Sequence, residues 1–353
     1  MPEKTRAVFL GAGASRAFGY PMTSEILPRI KQKLDAHKLF GRDTDAQSDR
    51  RDLSQYFNRM LPGWRCKDVS PPAITDVLSL IDYTRSAAIA GMLGAGPEKL
   101  ARFRRLLELA ICEIMNDVYE EGSWEPLCSR FVEWLVSDSE NTAVITTNYD
   151  IEVEMRMFQE FSRKRIEKRF DFGYAWRDPY EDTIFPRPKD PLMRFYKLHG
   201  SLNALRCDYC EHTYINIDGP IDYIAADEDA PRRNFNSCDC GHHVLSLVLV
   251  APSIIRDVRN IDLLQTWKNS LEWLRKASKW YIVGYSFPPE DLAIRSMLMR
   301  AYQARWDSKD KPPKVAVVQK GCDRELQSRY RIIFPDCRWI SGGLKELVES
   351  SGY

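Results

Sequence analysis

Two short polar segments, each placed after an apolar run, carry the side chains of this sequence that are best suited to chemistry. In TTNYD, which ends at Asp150, the central residue is Asn148, and in KLHGS it is His199. An asparagine donates and accepts hydrogen bonds without adding charge, so Asn148 could position a water molecule or a hydroxyl group. A histidine can accept a proton near neutral pH, so His199 could act as a general base. Each residue taken alone also fits a turn or a helix cap, and Asp150 could cap the helix that follows it.

A glycine-rich turn follows the first apolar run, in AVFLGAGASRAFGYP at residues 7–21. Glycines let backbone N–H groups approach an anion, and the start of a helix adds partial positive charge, so the turn could cradle a phosphate. It is not the usual dinucleotide fingerprint, because Arg16 takes the place of the third glycine and a helical pattern follows instead of a second strand. It is not a Walker loop either, since no Gly-Lys-Ser/Thr follows. The alternative is a turn in which the glycines serve packing alone.

Four of the nine cysteines form two close pairs, CDYC at 207–210 and CDC at 238–240. A CxxC knuckle followed by a second thiolate pair suits a tetrahedral zinc ion. The predicted ligands are Cys207, Cys210, Cys238 and Cys240. Because the second pair lacks the usual spacing, His242 or His243 could replace a thiolate, and a polar hairpin with free thiols is the alternative without a metal.

Apolar runs predict the framework that must position these residues. After the opening run they stand in TAVITTNYD, RFYKLHGSLN, LSLVLVAPS, WYIVGYSF and PKVAVVQ, and each ends in small or polar residues. Continuous apolar runs separated by helical stretches predict a parallel sheet covered on both faces, with ligands at the carboxyl ends of its strands.

The region from Thr23 to about Trp134 has a helical pattern and contains no convincing strand. Apolar residues three and four apart predict one amphipathic helix that begins at Pro97. The polar stretch GRDTDAQSDRRD, which begins at Gly41, predicts a loop.

Composition and charge argue against several classes of protein. Lys plus Arg total 51 and Asp plus Glu total 50 over 353 residues, so the formal net charge of +1 argues against general binding to nucleic acid. The basic run SRKRIEKR at 162–169 is typical of a solvated helix face. The sequence shows neither an apolar stretch long enough to span a membrane nor the apolar core of a signal peptide, which predicts a cytoplasmic protein.

The motifs GAGAS, TTNYD, KLHGS, the cysteine quartet and IVGYSF stand in the order found in sirtuin-like domains, and from Val8 to about Val318 the chain resembles that family. The resemblance implies an α/β fold with a Rossmann-like parallel sheet that binds NAD, as a single domain over residues 1–353. It implies a helical insertion at 41–134 and a zinc-binding insertion at 202–245. Asn148 and His199 match the family's catalytic residues. The residues implied in cofactor binding are Gly11, Ala12, Gly13, Ala14, Ser15, Thr147, Asp150, Gly284, Tyr285 and Ser286.

Two segments depart from the pattern of the family's protein deacylases. This chain has FGYPMTSEIL where deacylases have a GIPDFR-like segment, and LVAPSIIRD where they have an FGE-like segment. Together with GYSFPPED and the helical insertion, this looks like the bacterial sirtuin-like effectors of antiviral defence, which hydrolyse NAD to ADP-ribose and nicotinamide. The alternatives are a deacylase, an ADP-ribosyltransferase and a non-catalytic sensor of NAD or ADP-ribose.

The same resemblance implies that activity is restrained until a signal releases it. Self-assembly into a homo-oligomer, or a separate partner such as a HerA-type ATPase or an Argonaute, would provide that control. The helices of the insertion are the expected contact surface. Neither a membrane nor direct nucleic-acid specificity is expected.

Overall fold

The structure, a computed structural model, forms two compact units. It describes residues 5–41, 44–66, 70–86, 96–121, 126–179, 183–221, 238, 240–242, 245–249, 260–288, 291–307 and 311–350. The first unit comprises Met1–Tyr20, Ser123–Val248 and Val258–Tyr353, and the second comprises Pro21–Gly122 and Leu249–Asp257. His243 and the part of LVAPSIIRD that follows Leu249 lie outside the described residues.

Helices and short strands make up most of the described chain. The strands, in chain order, are β1 (Arg6–Leu10), β2 (Thr142–Thr146), β3 (Phe170–Asp171), β4 (Trp176–Arg177), β5 (Ile184–Phe185), β6 (Met193–Lys197), β7 (Gly200–Cys207), β8 (Thr213–Ile215), β9 (Leu245–Leu249), β10 (Lys279–Val283), β11 (Lys314–Val318) and β12 (Arg338–Ile340). The α-helices are α1 (Ala12–Arg16), α2 (Thr23–Asp35), α3 (Thr44–Met60), α4 (Ile74–Ser86), α5 (Pro97–Glu121), α6 (Pro126–Val136), α7 (Glu152–Glu160), α8 (Arg163–Arg169), α9 (Ile261–Lys276), α10 (Leu292–Asp307), α11 (Arg324–Arg331) and α12 (Gly343–Ser350). None of these helices is both long enough and apolar enough to cross a membrane.

Seven strands form one sheet in the order β12-β11-β10-β1-β2-β6-β3. Every pair of neighbours in it is parallel. All five residues of β1 and of β2 are buried, because the sheet is covered on both faces. The predicted Rossmann-like parallel sheet is therefore confirmed.

Five strands form a second sheet in the order β5-β4-β8-β7-β9. Its longest strand, β7, begins three residues after β6 ends and pairs antiparallel with β8. The run LSLVLVAPS was predicted to add a strand to the parallel sheet, but it contributes β9 to this second sheet, so that part of the prediction was wrong. An apolar run indicates a buried strand and does not indicate which neighbour it pairs with.

The helices α9 and α10 pack against one face of the parallel sheet. The core on this face joins Phe9, Ile145 and Ile282 of three strands to Trp273 of α9 and Leu298 of α10. Side chains of the intervening strand positions, Leu10, Thr146 and Phe195, point to the other face and lie beside α1 and α7. The parallel sheet therefore lies between α9 and α10 on one face and α1 and α7 on the other.

The second unit is helical over Pro21–Gly122, where its described residues contain α2, α3, α4, α5 and no strand. The helix predicted from Pro97 is confirmed as α5, whose apolar stripe is buried at Leu100, Phe103 and Leu107. The helix α6 (Pro126–Val136) begins within the predicted insertion at 41–134, ends just beyond it, and belongs to the first unit.

The polar stretch that begins at Gly41 was predicted to be a loop, and this was wrong from Thr44 onward, where the stretch forms the start of α3. Arg50 explains the difference. Its guanidinium is buried on the inner side of the helix and donates to the carbonyl oxygens of Leu39 and Gly41, at 2.5 Å each. The neighbouring buried position Leu53 continues that inner face. A charged residue on the buried face hides the helical period in the sequence.

Candidate functional site

The motif segments meet where the parallel strands end. Leu10 at the end of β1 pairs with Thr146 of β2 and with Val283 of β10, and Thr146 pairs with Lys197 of β6. The glycine turn, TTNYD, KLHGS and the segment after β10 therefore leave the sheet side by side. The chain winds from β1 toward β6 on one side and from β10 toward β12 on the other. Such a switch point is where ligands bind in open α/β sheets.

Gly11, Gly13 and Gly284 pack backbone to backbone at this edge. The N–H of Gly11 donates to the carbonyl oxygen of Val283 at 2.9 Å, and that of Gly13 donates to the carbonyl oxygen of Gly284 at 2.7 Å. A Cβ on Gly13 would lie 2.8 Å from the Cα of Gly284, and a Cβ on Gly284 would lie 2.2 Å from the nitrogen of Ala14. These contacts support the packing alternative for the glycines, and the phosphate contacts of residues 11–15 stay a prediction.

Asn148 is fixed at the end of β2 through its backbone and its side chain. Its N–H donates to the hydroxyl of Thr146 at 3.0 Å, and its side-chain Nδ2 donates to the carbonyl oxygen of Gly11 at 2.9 Å. Thr147 donates to the carbonyl oxygen of Leu10 from its N–H at 3.2 Å and from its hydroxyl at 3.5 Å. The glycine turn itself therefore orients the Asn148 side chain.

Asp150 is buried, and Ser15 holds its carboxylate. The Ser15 hydroxyl donates to Oδ2 of Asp150 at 2.5 Å, whereas the N–H of Glu152 donates to Oδ1 at 3.4 Å. Because the cap residue of α7 is Ile151, capping accounts for Asp150 only through that long contact. Asp150 thus links the glycine-turn helix α1 to the loop that carries Asn148.

A cavity with an empty volume of about 220 Å³ lies beside this loop. Its lining residues are Leu10, Ala14, Ser15, Phe18, Thr146, Asn148, Asp150, Val153, Glu154 and Phe195. Four of the predicted site residues are among them, namely Ala14, Ser15, Asn148 and Asp150.

His199 is buried near the same edge, with 4% of its surface exposed. The ring of Tyr149, the neighbour of Asn148 in sequence, has its centroid 6.5 Å from that of His199, and the ring of Trp267 has its centroid 6.3 Å away. The Trp267 indole N–H donates to the carbonyl oxygen of Leu198 at 3.0 Å. His199 is not among the described residues that line the 220 Å³ cavity. The two predicted catalytic residues therefore stand on neighbouring strand ends, with His199 outside the cavity wall.

A buried ion pair near these residues was missed by the sequence analysis. Lys197 Nζ lies 2.5 Å from Glu154 Oε1, and the two side chains are 10% and 2% exposed. Burial raises the pKa of Glu154 to about 7, against an opposing effect of Lys197 and with a smaller contribution from Asp150. One signal was available in the sequence, since Glu154 interrupts the apolar residues around Val153 and Met155 that α7 buries.

The segment after β10 places Tyr285 in the core and Ser286 on the surface. The Tyr285 ring packs edge-on against Phe9 with centroids 5.1 Å apart, and its hydroxyl donates to Asp291 at 2.9 Å. Its backbone carbonyl accepts a hydrogen bond from Gln319 Nε2 at 2.7 Å. Tyr285 therefore supports the loop from within, and Ser286 is the residue of this segment whose side chain can reach a ligand.

The four predicted metal ligands converge in the first unit. Cys207, Cys210, Cys238 and Cys240 place their sulfur atoms within 4.8 Å of one another. The Sγ atoms of Cys207 and Cys240 are 3.6 Å apart, and those of Cys210 and Cys238 are 3.3 Å apart. Sulfurs bound tetrahedrally to zinc at about 2.3 Å stand about 3.8 Å from one another, so the cluster fits this ion.

Hydrogen bonds around the cluster favour thiolate at one of its members. Although burial works against the charged form, bonds from the Cys240 backbone and the Tyr214 hydroxyl lower the pKa of Cys238 to about 7. His242, the alternative ligand, has its Nδ1 3.7 Å from Cys240 Sγ, and its ring stacks on Tyr209 with centroids 3.7 Å apart. His242 therefore lies beside the four sulfurs instead of replacing one.

No family model matches the chain, and no curated protein matches it. Solved structures of Sir2 proteins are similar to it. One, from work on the structural basis for the mechanism and regulation of Sir2 enzymes, is 16% identical with a TM-score of 0.42 and covers 98% of this chain and 91% of its own. A Sir2 homologue in complex with NAD is 13% identical with a TM-score of 0.45, covering 98% of this chain and 88% of its own.

Proposed function

We propose that this chain is an NAD-using enzyme that hydrolyses NAD to ADP-ribose and nicotinamide. The observation that carries the proposal is the arrangement at the carboxyl edge of the parallel sheet. There Ser15, Asn148 and Asp150 line one cavity, and the neighbouring strand end carries His199. The order of the sequence motifs is the second support.

The reaction breaks the bond between C1′ of the ribose and the pyridinium nitrogen, and the electron pair of that bond stays with nicotinamide. Nicotinamide leaves as a neutral molecule, so no general acid is needed. Positive charge develops on the sugar instead, as in other glycoside cleavages. Water then adds to C1′ and gives up one proton.

The residues have separate roles in this proposal. Asn148, oriented by its bond to Gly11, positions the attacking water or a ribose hydroxyl. His199 accepts the proton that is lost when water adds. The nicotinamide ring binds beside this cavity, where the Asp150 carboxylate in its wall favours positive charge nearby.

We further propose that the enzyme acts as the effector of a bacterial anti-phage system that depletes NAD in infected cells. The departures from the deacylase segments support this role, as does the helical section from Pro21 to Gly122. In this role the chain forms a homo-oligomer, or it is regulated by a HerA-type ATPase or an Argonaute that binds the helices of 41–134. A complex in which those helices make no contact would contradict the proposed control surface.

Release of nicotinamide from NAD by the purified chain tests the reaction. We expect Asn148→Ala and His199→Ala each to lower the rate by about 100-fold or more, since both act at the reacting atoms. The matched controls are Asn141→Ala and His37→Ala, at two exposed residues, and these should retain the wild-type rate.

The other outcomes identify the alternatives. NAD binding without release, unchanged by the two substitutions, would indicate a sensor. Release that requires an acylated peptide would indicate a deacylase, and transfer of ADP-ribose to a protein would indicate a transferase.

A further inference from the structure

The ammonium group of Lys197 has three acceptors, which matches its three hydrogens. It donates to Oε1 of Glu154 at 2.5 Å, to the carbonyl oxygen of Tyr149 at 3.4 Å and, by a short bond, to the carbonyl oxygen of Asp150. Lys197 is the last residue of β6 and stands two positions before His199. Its two carbonyl partners immediately follow Asn148.

The bonds of Lys197 lie beyond the end of the sheet. Main-chain pairing of β6 with β2 continues to the bond from the Leu198 N–H to the Thr146 carbonyl oxygen, at 2.8 Å. Past that point the chain of TTNYD leaves the sheet, and buried carbonyl groups there still need donors. Lys197 supplies them at Tyr149 and Asp150, and the N–H of Leu202 adds a second bond to Tyr149 at 3.0 Å.

Burying the Lys197–Glu154 pair costs desolvation free energy that apolar side chains in the same space would not cost. Desolvation of the two charges offsets most of their attraction, and apolar side chains of the same volume often stabilise a fold equally well. What an apolar side chain could not provide is the donor to the Asp150 carbonyl, since the Tyr149 carbonyl has a shorter bond from the Leu202 N–H.

We propose that Lys197 is a positioning residue that fixes the loop carrying Asn148 relative to the segment carrying His199, with Glu154 holding the lysine in place. This inference rests on the proposed function, which gives Asn148 and His199 their catalytic roles. Misplacement of a reacting group by about 1 Å can cost about 100-fold in rate. The lysine therefore acts through the geometry of the pair and not by contact with NAD.

The test compares Lys197→Met with the double variant Lys197→Met/Glu154→Gln. Methionine keeps the length of the side chain but donates no hydrogen bond, and glutamine removes the carboxylate that the first change leaves without its lysine. We expect both variants to lower kcat for nicotinamide release by about 100-fold and to leave KM for NAD within about threefold. We also expect faster hydrogen exchange in the peptide that covers residues 147–151. Lys164→Met, at an exposed lysine of α8, is the matched control and should behave as wild type.

A purely electrostatic role for Lys197 gives a different result. If the double variant recovers wild-type kcat and wild-type exchange, the lysine serves only to neutralise Glu154 and the proposal is wrong. Unchanged exchange at 147–151 in Lys197→Met would overturn it as well. If that variant does not fold, the double variant, which leaves no carboxylate without its lysine, decides with the same two readouts.

Failure of the proposed function would look different again. If the wild-type chain releases no nicotinamide, hydrogen exchange still decides whether Lys197 holds the loop. If Asn148→Ala and His199→Ala abolish release while Lys197→Met does not, the hydrolase stands and the positioning role falls.

Discussion

Replacing Gly284 with alanine tests whether this glycine is required for backbone packing or for ligand binding. Its φ of +62° is unfavourable for other residues, and an added Cβ would lie 2.2 Å from the backbone nitrogen of Ala14. We expect Gly284→Ala to lower the free energy of unfolding by about 3 kcal/mol or more, because backbone on both sides would have to move. Thermal unfolding followed by circular dichroism measures the change.

Gly321→Ala is the control for Gly284→Ala. Gly321 has a similar φ of +88°, but nothing lies within 4 Å of its added Cβ. It should cost about 1 kcal/mol, the cost of the backbone conformation alone. If Gly284→Ala unfolds like the control and loses only its affinity for NAD, the glycines serve the ligand and not the packing.

Among the site residues, the sequence predicted those that directly follow strands. It missed the Lys197–Glu154 ion pair, whose two members are distant in sequence. Asn148 and Asp150 could be predicted to share an edge with the glycine turn because the carboxyl ends of parallel strands meet. Glu154 could not be paired with Lys197 in advance, since the two are brought together only when α7 packs beside β6.

At the scale of elements, the cysteine cluster joins the start and the end of the segment predicted to bind zinc. We expect the purified chain to hold about one zinc ion, and Cys210→Ser to lose it and to melt at a lower temperature, because a closed metal site contributes directly to folding. Metal analysis and a thermal melt with and without a chelator measure both effects.

Cys322→Ser, at an exposed cysteine outside the cluster, is the control for Cys210→Ser. It should keep both the zinc and the melting temperature. A wild-type chain that holds no zinc and whose melting temperature does not respond to a chelator would support the hairpin with free thiols.

The two elements that were predicted wrongly failed for identifiable reasons. The start of α3 looks like a loop because most of its residues are polar and its buried Arg50 stands where an apolar residue would mark the helix. The strand β9 has the apolar composition expected for a strand of the parallel sheet, but it pairs in the second sheet. Strand partners depend on residues far apart in the chain, and local pattern does not contain them.

At the scale of the whole molecule, the buried Glu154 should make stability depend on pH. Its pKa is about 7 in the folded chain against an ordinary value of 4.5, so the unfolded chain releases this proton first as the pH rises. The contribution of Glu154 is therefore fully present below about pH 4.5 and is lost by about pH 7. Because glutamine cannot ionise, we expect the stability of Glu154→Gln to gain on that of the wild type by up to about 3 kcal/mol between about pH 5 and pH 8.

Denaturant unfolding of both proteins at the two pH values measures this gain. Glu272→Gln, at an exposed glutamate of α9, is the control and should show no such trend. A difference between Glu154→Gln and wild type that stays constant with pH would contradict the raised pKa.

The sequence by itself determined that a parallel sheet forms, which apolar runs are strands, which of these runs end in reactive side chains, and which cysteines lie close enough to share a metal. These features depend on local periodicity and spacing, which a single chain displays directly. Only the tertiary structure decided that Gly11, Gly13 and Gly284 are packed against each other's loops and that Tyr285 points into the core. It alone also decided that Lys197 is hydrogen-bonded to the loop after β2. Each of these depends on which distant backbone atoms come within hydrogen-bond or van der Waals distance, and that is fixed only when the sheet and its helices pack.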